Sequence, residues 1–574
     1  MKPQAHILRR IVLAAAGGLL LSGLSAQAET QLSGDSPNHV IPQFNSPLSE
    51  NISTQLQAGS EIYDAYRSHG FSPLWIDGAG NLNASGLALL DAFSQAGDHA
   101  LPPARYRAGT WKDAFLQARL SGSPDALAGA ELELTKAFLI YARDLSSGIL
   151  EPRRIDKELN IDPERPEVFD LLAGATRAND MAAYLADLAP QSQEYAGLKQ
   201  RYAEIRRIAA NGGWGPKIPS GKTLEVGDRS ERVPVLRARL IALGDYSASG
   251  FVQIEDEPKL VASNDVTNDA AVQNPLSDSM VFDIGLGQAV RAFQDRNGLN
   301  ADGLVGPATL AALNTSAEFR ARQIAVNLER LRWLNKDLGD PRVMVNLAGF
   351  MMTYIEDGKP RFTSRVVVGK ARRFRTPEFS DELEFMVVNP SWNVPRSIAK
   401  NEILPKLQEN PNYLAENDME LVGNDQDPAT IDWAAVTPQD FPGKVRQRPG
   451  SGNALGFVKF LFPNQFSIYL HDTPSRSLFA KDMRAYSHGC VRVQKPYEFA
   501  RVLLSAQEAD PAGKFQSYLD SGRERWVTLE HKVPVHLTYR TAWIDDQGRD
   551  QFRNDIYRRD RTVIAALVKM GVSF

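Results

Sequence analysis

The sequence predicts a multidomain α+β protein with a helical N-terminal domain, a small three-helix domain, and a β-rich C-terminal domain that carries an insertion. The chain has 574 residues, which is room for about three to five domains at roughly 100 to 200 residues each. Apolar residues recur at helical spacing in the first half of the chain. After about residue 340 the period of the apolar pattern changes to two, which is typical of strands.

The overall composition excludes several classes of protein. Apolar residues make up 43% of the chain, charged residues make up 23%, and the formal net charge is -4. These values exclude a mostly disordered, collagen-like or multispanning membrane chain. Lys and Arg number 65 against 69 Asp and Glu, so we expect no nucleic-acid partner. Cys490 is the one cysteine, which excludes an intramolecular disulfide and a paired-cysteine zinc site.

Residues 1–28 have the pattern of a secretory signal peptide. Basic residues precede an apolar run over residues 11–24, and Ala26 and Ala28 supply a small-residue cleavage site. The apolar run is shorter than the roughly 20 residues that cross a bilayer. We therefore expect cleavage after Ala28 and a mature protein without a membrane span. An uncleaved anchor is the alternative.

The next two stretches differ in pattern. Residues 29–52 are rich in Ser, Pro, Asn and Gln without periodicity, so we expect a disordered lead-in. Residues 53–215 are predicted to form the helical domain, in which His69 and His99 are structural or surface residues. One predicted helix of this domain ends at Gly148. Its apolar face consists of Leu134, Ala137, Phe138, Tyr141 and Leu145.

Residues 216–316 are predicted to form the small helical domain, after a linker rich in Gly and Pro. A later helix is expected to begin at Pro307. The string AVRAFQDRNGLNADGLVGPATLAAL at 289–313 resembles the three-helix peptidoglycan-binding domain of many cell-wall enzymes. A polar insertion at 247–281 departs from that pattern, and a helical spacer without affinity for glycan is the alternative. A first helical stripe consists of Val233, Leu236, Leu240 and Leu243.

The β-rich domain is predicted over residues 317–545 and is followed by a C-terminal helical segment over 546–574. Between Pro395 and Gly452 the strand pattern stops, so we expect an insertion of helix and loop over 396–451. The expected strands are rich in Val, Phe, Ile, Met and Tyr and are bounded by turn signals; they lie at 342–347, 351–356, 362–368, 384–388, 457–462, 466–470 and 533–542.

The residues that carry chemistry lie in one window, 469–494. Cys490 follows Gly489 directly and His488 closely, and His471 stands at the end of a predicted strand. A nearby imidazole lowers the pKa of a thiol or takes its proton, and the thiolate is the nucleophile. Gly489 allows a tight turn, and the successive N–H groups of His488, Gly489 and Cys490 are candidate oxyanion donors. A buried cysteine beside two packing histidines is the alternative.

This window resembles the catalytic signature of the L,D-transpeptidases of YkuD type. The signature is a His followed, after a loop, by Ser-His-Gly-Cys, and here 15 residues separate His471 from Ser487. The segments NPSWNVPRSI at 389–398 and PGSGNALGFVKFLFPN at 449–464 are similar to those of the large periplasmic L,D-transpeptidases of Gram-negative bacteria. The resemblance implies a helical scaffold domain, a peptidoglycan-binding-like domain, and a β-rich catalytic domain with an inserted capping subdomain.

The resemblance also implies a role for each residue of the window. Cys490 attacks the carbonyl between the third and fourth residues of a tetrapeptide stem, releases the terminal D-alanine and forms a thioester. His471 is the base and is oriented by a carbonyl at or beside Asp472, while His488 and Gly489 line the oxyanion hole. The side-chain amine of diaminopimelate on another stem then resolves the thioester and forms a 3-3 cross-link.

Four further residues are candidates for binding the substrate. Ser487 belongs to the signature itself. Arg492 either meets a carboxylate of the stem or stabilises the loop. Trp392 and Tyr486 are either walls of the site or residues of the core.

The expected partners follow from the same resemblance. They are peptidoglycan tetrapeptide stems, as donor and as acceptor, and other wall-synthesis proteins. No cofactor and no metal are expected. The resemblance further implies a periplasmic location, a contribution to cell shape, and acylation of the cysteine by carbapenems.

Two other kinds of function remain open. A cysteine hydrolase of wall peptides, or an enzyme that attaches or removes wall-linked lipoproteins, has the same thiol and imidazole. It differs in whether water or an amine resolves the thioester. A non-catalytic wall-binding protein would depend on the domain at 216–316 and leave Cys490 dispensable, and a cysteine in a reactive setting argues against it.

Overall fold

The structure is a computed structural model that describes residues 44–247 and 279–574. The expected signal peptide, the expected lead-in before residue 44, and residues 248–278 of the expected insertion lie outside the described residues. Among the described helices, none is long and apolar enough to cross a membrane. The described chain combines helical parts with a β-rich part, which confirms the predicted fold class.

The N-terminal helical domain is built around one long helix. The helices are α1 (Pro47–Gln55), α2 (Glu61–Ser68), α3 (Ala84–Ser94), α4 (Trp111–Leu120), α5 (Pro124–Ser147), α6 (Pro152–Ile155), α7 (Val168–Arg177), α8 (Met181–Asp187) and α9 (Gln193–Ala210). The predicted apolar face of α5 is buried in the core, and Gly148 ends the helix with a φ of +87°, a conformation that glycine adopts easily.

The lead-in ends earlier than predicted. Helix α1 begins at Pro47, inside the stretch that was expected to be disordered through residue 52. The side chain of Ser46 accepts a hydrogen bond from the N–H of Ser49 and so caps the helix, which packs against α5. The amino-acid composition does not predict this helix, because only a few of its residues are apolar. Ile52 is one of them, and it is buried.

The small domain has a core of its own. Its helices are α10 (Arg232–Leu243), α11 (Ile284–Arg296) and α12 (Pro307–Leu313). The predicted stripe lies in that core, since Val233, Leu236 and Leu240 are fully buried and Leu243 packs against them. Pro307 begins α12, as predicted.

The next helix, α13 (Ala317–Arg332), belongs to the helical domain. It was assigned to the β-rich domain from the sequence, and that boundary is wrong. Helix α13 packs against α9, and Ala321, Ile324 and Leu328 lie in the core that α5 also forms. Two helices far apart in sequence share this core, so a local pattern could not assign α13.

The β-rich domain is a closed sheet with an insertion. Its strands, followed by the C-terminal pair, are β1 (Arg342–Asn346), β2 (Met351–Glu356), β3 (Lys359–Gly369), β4 (Phe379–Val388), β5 (Trp392–Asn393), β6 (Met419–Val422), β7 (Lys444–Gln447), β8 (Val458–Leu461), β9 (Leu470–His471), β10 (Ala485–Ser487), β11 (Val491–Val493), β12 (Arg525–Thr538), β13 (Ala542–Ile544) and β14 (Asp550–Phe552). The main sheet has the order β10-β3-β11-β9-β8-β4-β12-β1-β2, and β2 also pairs with β3. The sheet therefore closes into a barrel around a core of aliphatic and aromatic side chains.

One predicted strand is shorter than expected. The strand predicted at 466–470 is reduced to β9, Leu470–His471. The side-chain oxygen of Asn464 accepts hydrogen bonds from the N–H groups of Phe466 and Ile468, and Ser467 has a φ of +56°. These contacts curl the chain before β9, because an Asn side chain competes with the strand ladder for backbone groups.

The insertion between β4 and β8 is a capping subdomain with its own core. Its helices are α14 (Arg396–Ile398), α15 (Leu404–Glu409) and α16 (Tyr413–Glu416), and a π-helical turn at Ala399–Ile403 joins the first two. The expectation that strands are missing here is wrong, since β5, β7 and β6 form a small sheet. Leu404, Leu407 and Trp433 are buried in the core of this subdomain.

The C-terminal part returns to the helical domain. Helices α17 (Pro496–Leu504) and α18 (Pro511–Asp520) precede β12 of the main sheet. The last described helix is α19 (Arg559–Lys569). The segment 546–574 was expected to be helical, but β14 pairs with β13 before α19 begins. Phe552, Val563 and Leu567 are buried in the core of the helical domain.

Candidate active site

Cys490 lies in a tight turn between β10 and β11. Gly489 has a φ of +121°, a conformation that favours glycine. The hydroxyl of Ser487 donates to the carbonyl of Cys490 at 2.5 Å and accepts from the N–H of Gly489 at 3.1 Å. Ser487 is buried, so the structure places this predicted substrate-binding residue inside the turn that it shapes. The N–H of Gly489, a predicted oxyanion donor, is therefore taken by Ser487, and the amides of His488 and Cys490 remain as candidate donors.

The pairing of β9 with β11 brings Cys490 and His471 onto one face. The two strands are parallel, with Val491 opposite Leu470 and Arg492 opposite His471. Val491 and Leu470 point into the barrel core. Because successive side chains alternate between faces, His471, Arg492 and Cys490 lie together on the other side.

His471 is oriented by the backbone. Its Nδ1 lies 2.5 Å from the carbonyl oxygen of Asp472, and a carbonyl only accepts, so Nδ1 carries the hydrogen and Nε2 is left as the acceptor. Burial, and then the positive charge of Arg492, lower the pKa of His471 to about 3. The imidazole is therefore neutral near pH 7.

The thiol of Cys490 is also neutral at rest. Its Sγ lies 3.6 Å from the carbonyl oxygen of Ser467, to which the thiol donates. Burial raises the pKa of Cys490 to about 11, although the backbone and hydroxyl of Tyr469 and the charge of Arg492 act in the other direction. Part of the residue stays exposed, so a substrate can reach it. The resting pair is a thiol and a neutral imidazole.

Tyr469 is a residue of the site that the sequence analysis missed. Its ring centroid lies 5.6 Å from that of His471. Burial, and then Cys490, raise the pKa of Tyr469, so the phenol stays protonated as a hydrogen-bond donor to sulfur. The signal was its place two residues before His471 in an alternating segment, which puts both side chains on one face.

The carboxylate of Asp472 points away from His471. It accepts hydrogen bonds from the N–H of Phe457 at 3.0 Å and from Arg476 at 3.2 Å. Gly456, with a φ of +59°, lies so close that an added Cβ would clash with this carboxylate. Asp472 therefore orients the imidazole through its carbonyl and uses its carboxylate to hold the loop before β8.

The side chain of His488 faces the capping subdomain. Its Nε2 lies 2.5 Å from Oε1 of Glu402, in the π-helical turn, and its ring centroid lies 4.5 Å from that of Phe374. Neither Glu402 nor Phe374 is near His488 in sequence, so no local pattern could have identified these contacts.

The remaining predicted residues lie in different places. In the part of the chain that the structure describes, Nε of Arg492 has no hydrogen-bond partner, and desolvation lowers the pKa of this guanidinium. Tyr486 is partly buried on β10, with Nζ of Lys481 4.9 Å from its ring centroid. Trp392 packs against the core of the capping subdomain. Within residues 44–247 and 279–574, no group of three His, Cys, Asp or Glu side chains is arranged to hold a metal.

Three family models match the chain. Residues 340–513 match the L,D-transpeptidase catalytic domain, YkuD, and residues 60–201 match the Scaffold domain. Residues 270–313 match a model described as "Putative peptidoglycan binding domain".

Individual proteins match parts of the chain. "Putative L,D-transpeptidase" of Haemophilus influenzae is 39% identical over 253 residues, which are 43% of this chain and 50% of that protein. N-acetylmuramoyl-L-alanine amidase CwlM of Mycobacterium tuberculosis is 36% identical over 102 residues, which are 18% of this chain and 21% of that protein. The matches thus span half or less of these relatives. A crystal structure of an L,D-transpeptidase from Xylanimonas cellulosilytica, 15% identical, covers 56% of this chain and 100% of its own, with a TM-score of 0.16.

The matched ranges coincide with the parts that the structure separates. The catalytic-domain match includes the capping subdomain and every strand of the closed sheet except β12, and the scaffold match lies within the helical domain. The chain therefore combines regions that match an L,D-transpeptidase catalytic domain, a scaffold domain and a "Putative peptidoglycan binding domain".

Proposed function

We propose that this chain is a peptidoglycan L,D-transpeptidase that joins two stem peptides through a 3-3 bond between diaminopimelate residues. The observation that carries the proposal is the parallel pairing of β9 with β11, which sets Cys490 and His471 on one face of a domain that matches L,D-transpeptidases. A thiol beside a neutral imidazole is the nucleophile and base that acyl transfer requires.

The first step is acylation of Cys490. Nε2 of His471 accepts the thiol proton as Sγ bonds to the carbonyl carbon between the third and fourth residues of the donor stem. The amides of His488 and Cys490 stabilise the oxyanion that forms. The bond to the terminal D-alanine then breaks, the imidazolium gives its proton to the departing amine, and a thioester remains.

The second step transfers the acyl group to an amine. The side-chain amine of diaminopimelate on a second stem attacks the thioester, and His471 accepts one of its protons. The thioester bond breaks, and the proton returns to the sulfur of Cys490. One D-alanine is released for each cross-link.

The neutral resting pair supports general-base catalysis over a preformed ion pair. Desolvation keeps the thiol protonated and the imidazole uncharged, so the proton moves only as the new bond forms. A base with a free Nε2 and a fixed Nδ1–H meets the geometric requirement for this transfer.

Arg492 is the residue that we assign to a carboxylate of the stem. Arg492 stands opposite His471 in the pairing of β11 with β9, on the face that carries Cys490. Among the described residues its Nε has no partner, so a buried donor is left for an anionic ligand, and an unsatisfied buried donor is costly.

The setting of the reaction follows from the other domains. We assign the protein to the periplasm, with peptidoglycan stems as donor and acceptor and with other wall-synthesis proteins as partners. The domain at 216–316 would hold the enzyme to the wall while the catalytic domain acts.

Release of D-alanine tests the acylation step. Purified protein is incubated with a disaccharide tetrapeptide, and free D-alanine and the mass of the intact protein are followed over time. We expect D-alanine release and an adduct of the disaccharide tripeptide on the wild type, and neither with Cys490→Ser. Equal release by Cys490→Ser would contradict the proposal, because it would place the nucleophile elsewhere.

A further inference from the structure

A buried threonine, Thr376, lies directly behind the Cys490 turn. It stands in the connection from β3 to β4 and is 0% exposed. Its hydroxyl donates to the carbonyl of Gly489 at 2.7 Å and accepts from the N–H of Gly369 at 3.0 Å. The single hydroxyl hydrogen of Thr376 is therefore committed to the residue before the nucleophile.

The Gly489 carbonyl shares a peptide unit with the N–H of Cys490. A trans peptide is planar, and its C=O and N–H point in opposite directions. A hydrogen bond that holds the carbonyl toward Thr376 thus directs the Cys490 N–H away from Thr376. Gly489 has no Cβ to restrict this plane, so an external contact has to fix it.

Thr376 is itself held by groups outside the turn. The hydroxyl of Tyr557 accepts from the N–H of Thr376 at 3.3 Å and donates to the carbonyl of Gly369 at 2.8 Å. Nη2 of Arg559 donates to the carbonyl of Thr376 at 2.8 Å. The Arg559 side chain is fully buried in an ion pair with Glu378 at 3.0 Å. A wrong position of Thr376 would therefore break several buried contacts at once.

The same contacts reach the helical domain. Arg559 also pairs with Glu158 at 3.2 Å, and Glu158 follows α6. Arg375, next to Thr376, pairs with Glu158 at 2.7 Å. The N–H of Glu378 donates to the carbonyl of Glu158 at 2.8 Å. The loop that carries Thr376 is thus fastened to the helical domain on one side and to the Cys490 turn on the other.

We propose that Thr376 is a positioning residue that aims the Cys490 amide at the oxyanion during acyl transfer. It touches no reacting atom and acts through the Gly489–Cys490 peptide plane. The inference rests on the proposed function and adds that the C-terminal part and the helical domain set the geometry of the oxyanion donor. A donor fixed in advance stabilises developing charge without reorganisation.

Two reactions of the same thiol separate this role from a structural one. Acylation by a carbapenem passes through an oxyanion, whereas alkylation by iodoacetamide does not. Thr376→Val keeps the shape of the side chain and removes the hydroxyl. We expect the acylation rate of Thr376→Val to fall by about 10- to 100-fold, because a misaimed donor loses much of its effect, while the alkylation rate stays close to that of the wild type.

Thr376→Ser and Tyr557→Phe complete the series. Thr376→Ser keeps the hydroxyl and should recover most of the acylation rate. Tyr557→Phe removes the hydroxyl that holds Thr376 and should lower acylation in the same direction, by less. If thermal melting shows that Thr376→Val does not fold, Tyr557→Phe carries the test.

The outcomes distinguish the two levels of the proposal. A wild type that is alkylated but never acylated would overturn the proposed function and this inference with it. A wild type that is acylated, with variants whose ratio of acylation to alkylation is unchanged, would overturn the inference alone. Parallel losses of both reactions would show that Thr376 only stabilises the fold.

Discussion

His488 and Glu402 join the Cys490 turn to the capping subdomain through a contact of 2.5 Å between Nε2 and Oε1. Glu402 lies in the π-helical turn at Ala399–Ile403, and π-helical turns are frequent at functional sites. The backbone N–H of His488 belongs to the turn, whereas its side chain reaches the subdomain. The backbone and the side chain of His488 therefore have different roles.

The first prediction separates the two histidines of the site. His471→Ala should lower the acylation rate by about 10² to 10⁴, the usual contribution of a general base. His488→Ala should have a milder effect, because its amide survives the change. Acylation by a carbapenem, followed by mass spectrometry of the intact protein, measures both rates. Equal losses, or the reverse order, would show that the base is the other imidazole.

The second prediction concerns the capping subdomain. Because it has a core of its own, replacing residues 398–448 with a short Gly/Ser linker should leave a folded protein whose Cys490 still reacts with a small β-lactam. Cross-linking of muropeptides should fall much more than acylation, since the subdomain positions two large peptides and excludes water.

Point variants refine this prediction. Glu402→Ala removes only the contact with His488 and should lower the ratio of cross-linking to hydrolysis. Glu409→Ala, at an exposed position of α15, is the matched control and should leave that ratio unchanged. If the linker variant loses thermal stability but keeps the ratio of cross-linking to hydrolysis, the subdomain only stabilises the fold.

The sequence predicted the parts of the site that depend on local order. The tight turn at the glycine beside the cysteine, and the place of His471 at the end of a strand, follow from a turn signal and an alternating segment. The contacts of Thr376 and Glu402 do not, because each joins Gly489 or His488 to a segment far away in sequence. The same reason explains why α13 was assigned to the wrong domain, since its apolar face packs against α5 and α9.

The third prediction concerns pH. His471 must be neutral to accept the proton, and its pKa is lowered to about 3, while the pKa of Cys490 is raised to about 11. The acylation rate should therefore be nearly constant between these values, as long as circular dichroism shows a folded protein. A sigmoid rise centred near pH 6.5 would contradict the lowered pKa of His471.

The same shift makes folding sensitive to acid. Burial lowers the pKa of His471 from 6.5 to about 3, so the unfolded chain binds more protons in this range. The free energy of unfolding should therefore fall as the pH drops from about 6.5 toward 3. His471→Gln should reduce this pH dependence in urea titrations. An unchanged dependence would show that other groups cause the acid sensitivity.

The fourth prediction identifies the nucleophile. A carbapenem should form one adduct on the intact wild-type protein, and peptide mapping should place it on the peptide that contains Cys490. Cys490→Ser should abolish the adduct, because a hydroxyl is a far poorer nucleophile than a thiolate at neutral pH. An adduct that persists on Cys490→Ser would assign the acylation to another residue.

The fate of the thioester is tested most directly by mass spectrometry of the products formed from purified disaccharide tetrapeptide. We predict a dimer joined through two diaminopimelate residues, with the loss of one D-alanine for each bond. The dimer should be absent with Cys490→Ser. Accumulation of the tripeptide monomer alone, at every pH and acceptor concentration, would contradict transpeptidation and identify the protein as a hydrolase.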